Sequence, residues 1–170
     1  TASIDGLDVV RDRYAVREGI GVLSDARGLY PRFSARENIR YYGALHGMRG
    51  AALEARIEQL AGTLGLAGIV DRRAQGFSQG EKMKVAIARA LVHDPHTILL
   101  DEPTNGLDIM SVRALRAQLR ELRAEGKCIL FSSHVMQEVA ALCDRIVILG
   151  QGQVVAIGTG DERYAKAFVA

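Results

Sequence analysis

Two adjacent acids, Asp101 and Glu102, directly follow the mostly apolar run TILL (97–100) and precede Pro103. A carboxylate at the carboxyl end of a buried parallel strand lies where such sheets bind ligands. Asp101 offers the hard oxygen that Mg²⁺ prefers, directly or through a water molecule. Glu102 could orient or deprotonate an attacking water. Taken alone, however, the two acids could also simply mark the point at which a strand leaves the core.

Two serines precede apolar helical patterns and have a glutamate three residues later, in Ser34-Ala-Arg-Glu37 and Ser78-Gln-Gly-Glu81. This spacing is a capping box, which satisfies free N–H groups at the start of a helix. The exposed amides and the macrodipole at such a start also favour an anion. Ser78 is therefore both a capping residue, worth roughly 1 kcal/mol, and a candidate anion ligand.

The elements that must position these residues follow from the apolar periodicity. Helices are predicted from 34 to about 46, through Leu53 to Leu64, from 78 to about 93, over 110–125 and around 135–143. Strands are predicted within 1–10 and 17–24, at TILLDE, at KCILFSS, at RIVILG and, antiparallel after the turn Gln151-Gly152, at QVVAIG. Strand–helix alternation with near-continuous apolar strands argues for a buried parallel sheet. We therefore expect an α/β core with a helical insert at about 34–79.

Composition bounds the kind of protein. Apolar residues make up 48% and charged residues 25%, which excludes a disordered chain. The net charge of +2 gives no argument for a nucleic-acid partner. Apolar runs are far shorter than the roughly 20 residues of a membrane span, and no signal-peptide pattern opens the sequence. Cys128 and Cys143 fit a reduced compartment, and we expect both to be buried as small hydrophobes.

The predicted helix at 110–125 carries a basic stripe beside its apolar one. Val112, Leu115, Leu119 and Leu122 form the apolar stripe, and Arg113, Arg116, Arg120 and Arg123 form the basic one. A basic stripe could contact nucleic acid, but a solvated helix face is the interpretation that we favour. We expect no nucleic-acid partner.

Four segments in fixed order resemble the nucleotide-binding domain of ABC transporters, and the resemblance covers essentially the whole chain. FSQGE (77–81) resembles the signature motif, TILLDEP the Walker B strand, GLD (106–108) the D-loop, and His134 the switch histidine. The wording of IGVLSDARGLYPRFSARENI and HVMQEVAALCDRIVILGQGQVVAIGT is most similar to exporter-type subunits of the sodium-efflux group. The resemblance implies a P-loop NTPase-like fold that binds ATP and Mg²⁺.

The resemblance also implies roles for individual residues. Two such domains pair head to tail, so Ser78 and the Gly80 N–H would contact the γ-phosphate of ATP bound to the partner. Asp101 would hold Mg²⁺ through water, and Glu102 would activate the attacking water. His134 would reach the γ-phosphate and position the attacking water and Glu102. Gln79 and Glu81 stand where the family commonly has Gly and Gln.

Three acidic positions carry further expectations. Glu81 places negative charge near the expected phosphate, which would weaken nucleotide capture. Asp108 would lie at the dimer interface, although it could equally cap the next helix. Asp25 stands where the family commonly has Gln; it remains a candidate metal ligand with a shorter reach.

The domain layout follows the same resemblance: a β segment and Q-loop region at 1–33, a helical subdomain at 34–79, and the signature helix through the C-terminal strands at 80–170. The phosphate loop GxxxxGK[ST] does not occur, because Gly126-Lys127 is followed by Cys128 and reads as a helix-to-strand turn. We expect an incomplete nucleotide site, no activity of these 170 residues alone, and an exposed edge or apolar face on the sheet.

As implied partners, the resemblance gives a transmembrane permease and a second nucleotide-binding domain, with the protein peripheral on the cytoplasmic face of the membrane. The permease groove would lie near 25–46, with Tyr30, Phe33, Tyr41 and Tyr42 as candidate wall residues. Two alternatives remain: a soluble ATPase of this family acting on ribosomes or DNA, and a degenerate, non-hydrolysing partner subunit. The compact segment between Asp25 and Ser78 argues against the coiled-coil DNA-repair type.

Overall fold

A computed structural model of the chain describes residues 1–23 and 28–159. The chain divides into two compact units, Thr1–Ser132 and Ser133–Ala170. Asp25 lies outside the described residues.

A three-stranded parallel sheet is the centre of the first unit. Its strands are β3 (Ile20–Leu23), β4 (Thr97–Leu100) and β5 (Cys128–Phe131), in the order β3-β4-β5. A short antiparallel hairpin of β1 (Ser3–Ile4) and β2 (Leu7–Asp8) precedes them. The predicted parallel core is confirmed, and the acids at 101 and 102 lie just beyond β4.

Among the described residues of this unit, the α-helices are α1 (Arg13–Gly19), α2 (Ala35–Leu45), α3 (Gly50–Thr63), α4 (Gln79–Leu91) and α5 (Ile109–Ala124). The two predicted capping boxes, at Ser34 and Ser78, are both formed. Gly47 and Gly65 follow α2 and α3 with φ of 79° and 63°, the left-handed conformation with which glycine commonly ends a helix. Where a β-like run was expected at 17–24, residues 17–19 instead complete α1, and the strand begins at Ile20.

The two faces of the sheet have different surroundings. Ile98 and Leu100 are 0% and 3% exposed on the face against α4, where a Cβ at Gly21 would collide with the carbonyl oxygen of Ala90. Val22 and Leu130, which share the opposite face through the strand register, are 42% and 66% exposed. Parallel sheets are normally covered on both faces. Within the described residues, this sheet therefore has the exposed apolar face that the sequence predicted.

The cysteine prediction was wrong for Cys128. Its side chain is exposed, and that of Cys143 is half-buried. Cys128 begins the edge strand β5 on the same sheet face as Leu130, which α4 does not cover. An alternating strand at a sheet edge exposes every second residue, whatever its hydrophobicity.

The second unit contains α6 (Met136–Leu142) and a hairpin of β6 (Arg145–Gly150) and β7 (Gln153–Thr159). The hairpin is antiparallel, as predicted, and turns at Gln151 and Gly152 with φ of 50° and 77°. Its turn requires the left-handed conformation that glycine adopts without cost.

Among the described residues, no helix is both long enough and apolar enough to cross a membrane.

Candidate active site

The paired acids lie at the carboxyl end of β4, the middle strand of the sheet. The Asp101 N–H donates to the Leu23 carbonyl at 2.8 Å, which continues the pairing between β3 and β4 by one residue. Asp101 is exposed and Glu102 is half-buried. The sheet therefore presents two carboxylates where parallel strands commonly bind ligands.

Ser132 connects these acids to the neighbouring strand. Its hydroxyl donates to Asp101 Oδ1 at 2.6 Å and accepts the Glu102 N–H at 2.9 Å. Its own N–H donates to the Leu100 carbonyl at 3.0 Å, which fixes its place just after β5. Sequence reasoning gave Ser132 no role. Its position could have indicated a role, because Ser132 directly follows the strand next to β4 and the carboxyl ends of neighbouring parallel strands lie side by side.

The backbone after Asp101 turns sharply. Glu102 has a φ of +44°, a left-handed conformation that costs a non-glycine residue about 1–2 kcal/mol. The following Pro103 is fully buried, and the Asn105 N–H donates to the Glu102 carbonyl at 3.0 Å. Residues held in such conformations cluster at functional sites, which is consistent with the importance assigned to Glu102.

Asp108 has the capping role that was its alternative interpretation. Its carboxylate accepts the Ser111 N–H at 2.9 Å and the Ser111 hydroxyl at 2.7 Å, and it begins α5. These hydrogen bonds, the hydroxyl first, hold the pKa of Asp108 below its usual range.

Glu81 is engaged on two sides. Its carboxylate accepts the Ser78 N–H at 2.7 Å, and its other oxygen pairs with Arg72 at 3.1 Å. The Ser78 hydroxyl accepts the Glu81 N–H at 3.2 Å. The Ser78 backbone and then the Arg72 guanidinium hold the pKa of Glu81 below its ordinary value. The negative charge of Glu81, which was expected to weaken nucleotide capture, is therefore partly compensated by Arg72. The sequence alone did not identify Arg72 as its partner.

The start of α4 lies against the turn before α5. A Cβ at Gly80 would lie 3.7 Å from Leu107 Cδ2 and 4.0 Å from Asp108 Oδ2. A Cβ at Gly106 would lie 2.9 Å from Gln79 Cγ. The structure therefore brings the segment 78–81 together with Gly106 and Asp108.

His134 is the remaining candidate among the described residues. His134 belongs to the second compact unit, where it is exposed and precedes α6. The described residues contain no cluster of three or more His, Cys, Asp or Glu side chains that could hold a metal ion. The exposed Asp101 carboxylate suits a cation such as Mg²⁺, which keeps most of its own water ligands.

The four aromatic residues predicted to wall a groove form a real cluster. The Tyr30 ring lies 5.2 Å from both Phe33 and Tyr41, and Tyr41 lies 5.7 Å from Tyr42. Tyr30, Phe33 and Tyr41 are each between 37% and 42% exposed, so the cluster faces solvent rather than a core. The Arg89 guanidinium stacks on the Tyr42 ring at 4.3 Å and donates to the Gly28 carbonyl at 2.7 Å, which ties the cluster to α4.

Comparisons with known proteins agree with this architecture. The sequence model of the family described as ABC transporter matches residues 1–105. The ABC transporter ATP-binding protein NatA of Bacillus subtilis (strain 168) is 46% identical over 95% of the chain and 66% of its own length. The Nod factor export ATP-binding protein I of Bradyrhizobium diazoefficiens is 38% identical over 86% of the chain and 48% of its own length. The chain therefore spans between about half and two thirds of these two curated relatives.

Solved structures give the same result. One described as the ATP-binding subunit of an ABC transporter superposes with a TM-score of 0.84 at 30% identity, over 99% of this chain and 71% of that one. CbiO1 from Clostridium perfringens, described as part of the ABC transporter complex cbiONQ, gives 0.82 at 29% identity, over 98% and 68%. The chain belongs to the ABC transporter family, and it corresponds to part of the ATP-binding domain.

Proposed function

We propose that the protein carrying these residues hydrolyses ATP to drive export through a membrane permease. The observation that supports this most is the acid pair at the end of β4, held by the Ser132 hydroxyl at 2.6 Å from Asp101 and 2.9 Å from the Glu102 N–H. Support for the export direction comes from a relative that is named for Nod factor export.

In this proposal, Asp101 holds Mg²⁺ through water, and its exposed carboxylate suits that task. Bound Mg²⁺ would neutralise charge that develops on the phosphate oxygens of ATP. Glu102 accepts a proton from the attacking water, and its fixed backbone would keep the carboxylate in place. His134 would position the water, and Asp25 is a candidate second ligand of the metal.

The segment 78–81 and Asp108 would act across a head-to-tail dimer of two such domains. The Ser78 hydroxyl and the Gly80 N–H lie at the start of a helix of 13 residues, where the macrodipole favours a phosphate. Gln79 and Gly80 lie against the turn that holds Asp108. A phosphate on the partner domain would therefore be sensed at the turn before α5 as well as at α4.

The permease is proposed to dock on the exposed aromatic cluster of Tyr30, Phe33, Tyr41 and Tyr42. This places the protein on the cytoplasmic face of a membrane through its partner. The functional layout that we propose is 1–33 for the Q-loop region, 34–79 for the helical subdomain and 80–170 for the remainder of the domain.

Glu102→Gln in the natural protein tests the catalytic assignment. Gln keeps the size of the side chain but cannot accept the proton. We expect ATP to stay bound while turnover falls by at least about 10²-fold, the lower end of typical general-base effects. Unchanged turnover would rule out Glu102 as the base.

Since residues 1–170 contain no GxxxxGK[ST], we also expect these residues alone to bind ATP poorly. Micromolar affinity for ATP in calorimetry would contradict this expectation.

A further inference from the structure

Two histidines from different parts of the first unit lie face to face. The rings of His46 and His93 are 3.6 Å apart with an interplanar angle of 5°. His46 caps the carboxyl end of α2, and His93 lies two residues beyond the end of α4. The stack is therefore a contact between α2, which carries Tyr41 and Tyr42, and the segment that leads from α4 into the sheet.

The surroundings of the two ring nitrogens of His93 favour its neutral form in this stack. His93 Nε2 lies 3.0 Å from the Ile20 carbonyl, so Nε2 must carry the proton and donate it. In the neutral ring, Nδ1 is then the unprotonated nitrogen. Nδ1 is buried and has no hydrogen-bond partner among the described residues. Charging His93 would create an N–H donor at a buried atom with no acceptor, which is costly.

Charged groups surround the pair on several elements. Those lining the two cavities beside the rings are Arg17 and Glu18 of α1, Arg56 of α3, Arg89 of α4, and Asp94. Asp94 already pairs with Lys127 at 2.8 Å and with Arg56 at 3.2 Å, so its charge is largely committed to these cations. Glu18 is the carboxylate that favours a charged His46. The acids beside the stack therefore do not outweigh the cations.

Burial works in the same direction. It lowers the pKa of His46, and it also lowers that of His93, where the neighbouring His46 ring adds to the effect. Two imidazolium rings in face-to-face contact would also repel each other. The stack is thus built for two neutral rings.

We propose that the His46–His93 stack is a proton-sensitive contact that closes α2 onto the α4–β4 connection when both rings are neutral and opens in acid. A cavity of about 650 Å³ beside the stack, lined by Leu45, Met48 and Val92 among others, gives the end of α2 room to move. Opening would displace the helix that carries Tyr41 and Tyr42. Acid would therefore remodel the exposed aromatic cluster without touching the acids at the end of β4.

Two measurements on the protein test this contact. In an NMR titration of the imidazole carbons, His46 and His93 should show midpoints below 6.5, the ordinary value. In amide exchange corrected for intrinsic rates, the amides of Gly47 and Met48, which bond to the last turn of α2, should lose about tenfold protection across the same pH range.

His46→Phe is the decisive variant, because it keeps a stacking ring and removes its titration. Because the repulsion between two charged rings is then gone while His93 still titrates, its Gly47 and Met48 amides should lose clearly less protection in acid than those of the wild type, whereas His96→Gln, at a histidine outside the stack, should behave as the wild type does. Equal loss of protection in wild type and His46→Phe would overturn the proposal. Midpoints at or above 6.5 for both rings would overturn it as well.

Discussion

The Ser132 hydroxyl donates to the Asp101 carboxylate at 2.6 Å while it accepts the Glu102 N–H at 2.9 Å. One side chain at the end of β5 thus fixes both a candidate metal ligand and the backbone of a candidate base at the end of β4. The parallel register of β4 and β5 pairs Leu100 with Phe131, and Asp101 and Ser132 directly follow these two residues.

Removing this hydroxyl should impair catalysis more than folding. Ser132→Ala leaves the Glu102 N–H to water and frees the Asp101 carboxylate to rotate. We expect the ATPase rate of the natural protein to fall about tenfold, equivalent to about 1.4 kcal/mol in the barrier. Ser132 is exposed, so the unfolding midpoint in urea should change little. Ser132→Thr retains the hydroxyl and should restore most of the rate; if it is as slow as Ser132→Ala, the hydroxyl is not the cause.

Gly106 should tolerate alanine less well than Gly126. Both glycines are left-handed, with φ of 75° and 87°, so alanine costs about 1–2 kcal/mol at each. Only at Gly106, of these two, would the new Cβ meet a neighbour, Gln79 Cγ at 2.9 Å. We expect Gly106→Ala to lower the free energy of unfolding by about 1 kcal/mol more than Gly126→Ala.

A double-mutant cycle separates strain from contact at this position. Gln79→Ala in the Gly106→Ala background should recover the extra loss, because the colliding side chain is gone. Additive effects of the two substitutions would show that α4 and the turn before α5 are not in the contact described.

Glu81 should stabilise α4 in a pH-dependent manner. Its pKa is lowered on folding, so its contribution is present above the ordinary carboxyl value and is lost as pH falls through the folded value. Glu81→Gln retains the cap to the Ser78 N–H but not the charge. We expect it to be about 0.5 kcal/mol less stable than wild type at pH 7, with the difference shrinking as pH falls through the folded pKa of Glu81.

Urea unfolding at a series of pH values measures this difference. In an Arg72→Gln background the difference should shrink, because part of the lowered pKa comes from Arg72. A difference between wild type and Glu81→Gln that stays constant from pH 7 to pH 3 would refute the assignment.

Replacement by threonine should change the free energy of unfolding very differently for leucines on the two faces of the sheet. Leu130 is 66% exposed, so Leu130→Thr should reduce aggregation of residues 1–170 and change the free energy of unfolding by less than about 0.5 kcal/mol. Leu100 is 3% exposed, and Leu100→Thr should cost about 2–5 kcal/mol, as burying a hydroxyl in a cavity does. Light scattering and urea unfolding measure the two effects. Equal destabilisation by both substitutions would mean that the face of Leu130 is covered.

The sequence by itself determined the local elements. Capping boxes at Ser34 and Ser78, glycine stops at Gly47 and Gly65, and the β6–β7 turn were all predictable, because a cap or turn depends on residues within a few positions of each other. The parallel sheet was also predictable from its apolar runs, and so was the position of Asp101 and Glu102 at the carboxyl end of one of its strands.

Tertiary structure decided what lies beside each of these residues. The bridge from Ser132 to Asp101 depends on strands 31 positions apart, and the stack of His46 on His93 depends on how two helices end against each other. Cys128 is exposed although its type favours burial, because the uncovered face of an edge strand, not hydrophobicity, sets its surroundings. Caps and turns depend on residues that are neighbours in the sequence, whereas these contacts arise from the register of the sheet and the packing of helices against it.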